Sequence, residues 1–119
     1  EPRRLIAATG CELVEMPRNR DNSFCCGAGG GRIWMSELKQ GDGPRPSEDR
    51  IAEATSLDQV ATFVVACPKD VAMYEDAIKT TGRGAEIRLR EVTELLLESL
   101  ALEGDGVDTT DTDAGVDAA

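Results

Sequence analysis

Apolar and polar positions change rhythm several times along this chain, and each change marks an element. Leu5, Ile6 and Ala8 behind Pro2 read as the last turns of a helix stopped at Gly10, since proline suits a first turn and glycine a stop. Cys11 to Met16 alternates as a short strand would, with Leu13 and Cys11 turned inward, and ends at Pro17. Arg18 to Ser23 is a polar loop that delivers the chain to Phe24, Cys25 and Cys26. Ile33 to Lys39 predicts one or two helical turns, followed by the breaker-rich loop QGDGPRPS. Ser47 suits the cap of a helix over Glu48 to Ser56, whose first turn is acidic as the helix dipole prefers.

The second half is more regular. Residues 61–68, ATFVVACP, form an apolar, β-branched run of the length of a strand buried on both faces, ending at Cys67. Pro68 then opens a helix with Val71, Ala72, Tyr74 or Glu75, and Ile78 at helical spacing, stopped at Gly82. EIRLR at 86–90 predicts a third strand, and Glu91 to Leu102 an amphipathic helix with Val92, Leu95, Leu96 and Leu100 on one face. The alternation predicts an α/β fold: a small parallel-sheet, Rossmann-like layer with flanking helices and right-handed crossovers. From Gly104 the chain lacks aromatics and carries five aspartates, which predicts a disordered acidic tail over 104–119 behind a domain over 1–103.

Composition narrows this picture. With 119 residues, 40% hydrophobic, and only four aromatics, the chain is one domain whose core rests on aliphatic side chains. The absence of any apolar run of membrane-span length and of a signal segment is expected of a cytoplasmic protein, touching a membrane face only through a partner. Opening on Glu1 within a helical pattern, the sequence reads as part of a longer chain. The net charge of −10 argues against nucleic acid as a partner. Ten arginines against three lysines on an acidic background also suit a high-salt, halophilic cytoplasm, where carboxylate repulsion is screened.

The candidate chemistry lies in SFCCGAGGGRIWM at 23–35. Neighbouring side chains on extended backbone point to opposite faces, so Cys25 and Cys26 serve one partner only if the chain turns, and Gly27 permits that turn. A disulfide between them is geometrically poor. The glycines expose backbone N–H groups able to donate to sulfide or thiolate. Cys67, between a strand end and a helix start, sits where unpaired amides favour a thiolate that can bind metal or attack. Cys25, Cys26 and Cys67 could thus converge on one metal site, with Cys11 structural and with Trp34, Met35 and Met73 as core or a lid. Two other readings stand beside it: a glycine loop cradling phosphate or nucleotide, and a structural Zn²⁺ on the three cysteines with Asp70 or Cys11 as fourth ligand.

The segment ELVEMPRNRDNSFCCGAGGGRIWM, followed by a helix, ATFVVACP and an amphipathic helix, resembles the CCG (cysteine-rich) domain of the heterodisulfide reductase and anaerobic glycerol-3-phosphate dehydrogenase iron–sulfur subunit family. It is most similar to the second such domain of Fe–S oxidoreductases that work beside fatty-acid and electron-transfer-flavoprotein metabolism. The likeness spans about residues 1–102. It implies a non-cubane 4Fe–4S cluster handling electrons or disulfides, with the family's Cys-Cys-Gly on Cys25, Cys26 and Gly27 and the first cysteine of its CPxC on Cys67. It also implies an Fe–S oxidoreductase parent, a flavoprotein or membrane quinone-linked partner, and an inactive isolated fragment. Two features depart from the family pattern: the second cysteine of CPxC is Asp70, a harder potential ligand or an ordinary first-turn acid, and the upstream cysteine would precede Glu1.

Overall fold

The computed structural model of the protein describes residues 1–35 and 43–103. Helix α1 (Pro2–Ala8) is followed by extended chain and a short 3₁₀ turn at Arg20–Asn22, then by the cysteine loop and a second 3₁₀ turn at Arg32–Trp34. Helix α2 (Pro46–Thr55), strand β1 (Thr62–Val65), helix α3 (Pro68–Thr81), strand β2 (Arg88–Glu91) and helix α4 (Val92–Glu103) complete the order. β1 and β2 pair in parallel, with Phe63 opposite Leu89 and Val65 opposite Glu91. The α/β architecture predicted from alternation is therefore present, built around one β–α–β unit.

The core forms where three apolar faces meet. In α2, residues 47, 50, 51 and 54 are buried, which is one helical stripe. In α3 the stripe is Tyr74, Ala77 and Ile78, and β1 contributes Phe63 and Val65 on one face of the sheet. The Phe63 and Tyr74 rings meet edge to face with centroids 4.8 Å apart. Ile51 and Ala77 are fully buried, and Cys26 and Ala28 of the cysteine loop belong to the same cluster. Polar ties reinforce the α2–α3 contact: Arg45 pairs with Asp76 at 2.7 Å, and the Thr80 hydroxyl donates to Glu48 at 2.8 Å.

Several expected details differ. Cys11–Met16 forms no strand, so the sheet formed by the described residues has two strands, with Cys11 and Leu13 exposed. The Glu15 carboxylate accepts hydrogen bonds from Arg3 of α1, at 3.2 Å from Nη2, and lies 3.5 Å from Arg20. Between the segment and the free edge of β1 runs a cleft of about 540 Å³ lined by Leu13, Met16, Arg50, Ala54 and Phe63. Ser47 is not the cap of α2. Pro46 takes the first helical position and Glu48 reaches back to accept the Arg45 amide at 3.0 Å, leaving Ser47 wholly buried in the first turn. Strand β2 begins at Arg88, two residues later than predicted, and Leu100 of α4 is exposed while Val92 is buried. Trp34 is 84% exposed, so it is no core residue, and Met35 is exposed beside it. The helical turns predicted for 36–39 and the tail at 104–119 lie outside the described residues. Among the described residues no helix is long and apolar enough to cross a membrane.

Two outcomes follow from this packing. Ile51→Ala, which empties a site without solvent access, should cost about 2–5 kcal/mol in urea unfolding. Burial pushes the Glu53 carboxyl up, but hydrogen bonds from the Arg18 side chain and amide, with the Arg50 and Arg18 charges, outweigh it and hold the group below its ordinary 4.5. A depressed carboxylate stabilises the fold above the unfolded-state value and loses that contribution as pH falls through the folded one. The melting-temperature gap between wild type and Glu53→Gln should therefore be full at pH 7 and close as pH drops below about 4.5.

Candidate metal centre

The loop over 25–28 carries the two adjacent thiols in opposite directions. Cys25 is exposed, Cys26 is buried against the core, and Ala28 points inward with it. Gly27 makes the reversal with φ +90°, and a Cβ there would lie 3.1 Å from Cγ of Pro46, the first residue of α2. The position thus needs glycine twice over, for its dihedral and for its closeness to the helix. The turn also aims the amides expected of a glycine loop: Gly27 N–H donates to Cys25 Sγ at 3.4 Å, and the Ala28 amide faces Cys26.

Asp70 meets this loop from the other side. It lies in the first turn of α3, with its carboxylate close enough to the Cys26 thiol to favour the protonated form. Burial first, then Asp70 and the neighbouring Cys25, push the Cys26 thiol up to about 11, against the opposing pull of the Ala28 amide. Tyr74, one turn further along α3, is pushed up to about 12 by burial and by the charges of Asp70 and Cys26, with Arg50 opposing. Burial and the Asp70 charge thus both favour the neutral thiol at Cys26.

The structure places the four predicted ligands unevenly. Cys26 faces Asp70 and adjoins Cys25 in the chain, whereas Cys67 stands at the N-cap of α3 one turn before Asp70, with its side chain exposed. Among the described residues no three histidine, cysteine, aspartate or glutamate side chains gather closely enough to hold a metal ion. Cys11 stands apart and is the one cysteine on the cleft beside β1. The donor set suits an iron–sulfur group in kind, with thiols, a carboxylate and amides turned onto sulfur, but supplies only part of a shell. The sequence reading missed the support behind it. Arg18 of the polar loop forms a partly buried ion cluster with Glu53 and Arg50 of α2, of which only the Arg50–Glu53 spacing was visible in sequence.

A family model described as the cysteine-rich domain, CCG, matches residues 1–69. The chain belongs to the CCG cysteine-rich domain family. It is 34% identical over 100 residues to the probable iron-sulfur-binding oxidoreductase FadF of Bacillus subtilis, covering 83% of this chain. It is 28% identical over 103 residues to the EtfAB:quinone oxidoreductase of Syntrophomonas wolfei, covering 84%. A component of the dihydromethanophenazine:CoB–CoM heterodisulfide reductase of Methanosarcina barkeri shares 31% over 96 residues, covering 78%. The chain spans 14% of the length of the first two relatives and 21% of the third. No solved structure matches it at a significant level.

Gly27→Ala in this CCG domain should cost about 1–3 kcal/mol, because alanine must adopt a left-handed dihedral against Pro46. Gly29→Ala, where an added Cβ meets open space, should stay within about 0.5 kcal/mol of wild type. Paired urea titrations check both.

Proposed function

We propose that this chain is the iron–sulfur redox domain of a larger heterodisulfide-reductase-like oxidoreductase, handling electrons or disulfides. In this reading Cys25, Cys26 and Cys67 ligate a 4Fe–4S cluster of the non-cubane type, Gly27 shapes the loop, and the remaining ligands come from the rest of the parent protein. The observation that carries it is the pair of adjacent thiols with the Gly27 and Ala28 amides turned onto their sulfurs. Two amides facing thiolate or sulfide stabilise accumulating negative charge, and packing alone gives no reason for that arrangement. When bound, such a cluster supplies one-electron transfer at a potential set by its ligands, charge and hydrogen bonds.

The chain's own residues define what binding would require. Cys26 has to give up its proton in favour of a ligated cation, against burial and the neighbouring Asp70 charge that favour the thiol, and the Cys26 side chain keeps one flank of the site dry. Asp70 can then serve as an oxygen ligand or remain a helix-start acid. The domain over 1–103, the flavoprotein or quinone-linked partner, and action at the cytoplasmic face of a membrane belong to the same proposal. They rest on the kinship with proteins named as quinone and heterodisulfide oxidoreductases. A structural zinc site would use the same sulfurs, and a phosphate-binding loop would use none of them.

Anaerobic metal and acid-labile sulfide analysis of the full parent protein separates the three. Iron and sulfide should appear in a ratio of about one for this domain and be lost in Cys25→Ser and Cys26→Ser. Zinc without sulfide, or iron retained in both variants, overturns the reading. For Asp70, redox titration followed by electron paramagnetic resonance decides its role. With a ligand at this position, Asp70→Cys should keep the cluster at a lower potential and Asp70→Ala should make it labile. An unchanged spectrum and potential in Asp70→Ala assigns the residue to the helix start, with about 0.3–1 kcal/mol of stability lost.

A further inference from the structure

The support behind the thiols reaches further than the loop itself. Arg18, where the polar loop begins, is tied to α2 through its backbone and its side chain together. Its amide donates to Glu53 Oε1 at 2.8 Å, its Nε to Glu53 Oε2 at 2.8 Å, and its Nη2 to Asp49 Oδ2 at 3.0 Å. Its carbonyl accepts from Arg50 Nη1 at 2.8 Å, and that same nitrogen is 3.2 Å from Glu53 Oε2. The Glu53 and Arg50 side chains are only 10% and 11% exposed. Solvent therefore screens the Arg50–Glu53 pair little, whereas Arg18, at 33%, and Asp49, at 43%, keep contact with water.

The outer face of the same guanidinium is covered by the ring of Phe24, 4.0 Å from its centroid. Phe24 is bonded directly to Cys25. Helix α2 thus touches the cysteine loop at two separated points: Pro46 against Gly27 after the thiols, and Asp49 with Glu53 through Arg18 and Phe24 before them. A loop fixed at both ends has few ways to rotate, so the direction of each sulfur is set from α2.

We infer that Arg18, locked by Glu53 and Arg50 and capped by Phe24, is a positioning residue that holds Cys25 outward and Cys26 inward. The inference rests on the iron–sulfur reading for its purpose, but its geometry is testable without any metal. The parent protein, stripped of metal with a chelator, is treated with iodoacetamide and the labelled cysteines are mapped by mass spectrometry. Amide exchange at Phe63 and Val65 in β1 is followed in parallel as a gauge of the core.

Arg18→Gln should speed Cys26 labelling about tenfold beyond any rise in exchange at Phe63 and Val65, and Glu53→Gln should reproduce this. The double variant should go no faster than either single one, as expected of residues acting as one unit. Arg18→Lys, which keeps a cation over the Phe24 ring, should bring the rate back to within about threefold of wild type. Phe24→Leu, the mildest change, should produce a smaller increase and keeps the test open if Arg18→Gln does not fold. Cys26 labelling that stays at the wild-type rate, or that rises only in step with core exchange, overturns the inference. Failure of the iron–sulfur reading is distinct: it shows as no iron or sulfide in wild-type protein, whatever the labelling rates.

Discussion

The contact between Gly27 and Pro46 is the constraint on which the cysteine loop depends. With backbone at φ +90° pressed against the first residue of α2, the chain reverses within one residue and sends Cys26 and Ala28 into the core while Cys25 stays outside. Because Cys26 packs with Ile51, Phe63 and Tyr74, the position of its sulfur is a property of the β–α–β core as much as of the loop. Side chains in such a core are close-packed, so a shift in α2 or α3 would be felt at the thiol. Asp70 completes the arrangement from α3, and strand β1 sets where that helix begins.

Much of this was legible from pattern. The β-branched run at 61–68 and the proline-started, glycine-stopped helix after it appear as β1 and α3, because local propensity and tertiary burial agree there. The adjacent thiols, the turn at Gly27 and the amides facing sulfur were also readable, since each follows from a dihedral or a donor that the residue type dictates. Pattern failed where charge pairing between distant residues decides. Cys11–Met16 alternates as a strand should, yet it pairs with neither β1 nor β2, and its Glu15 is hydrogen-bonded to Arg3 of α1. Ser47 looked like a cap, but Pro46 and the reach of Glu48 to the Arg45 amide start the helix earlier. The pairing of Arg18 with Glu53 bridges 35 residues and leaves no periodic trace.

Two opposed influences meet at Cys26. Burial and the nearby Asp70 favour the neutral thiol, whereas the Ala28 amide favours the thiolate. A cation bound at the loop would reverse that balance, since it replaces the proton with a larger positive charge and turns Asp70 from a destabilising neighbour into a stabilising one. On the proposed reading, the loop would hold this thiol protonated until a metal or cluster is bound. Cys25, outside the core, and Cys67, at the start of α3, are both exposed.

The most direct test is residue-level protection. Parent protein loaded anaerobically with iron and sulfide is alkylated under native conditions, and the labelled cysteines are identified by mass spectrometry against metal-free protein. Cys25, Cys26 and Cys67 should become unreactive on loading while the distant, exposed Cys11 is labelled at the same rate in both states. Cys25 and Cys26 labelled equally fast with and without bound iron would contradict the assignment of this loop as the ligand site.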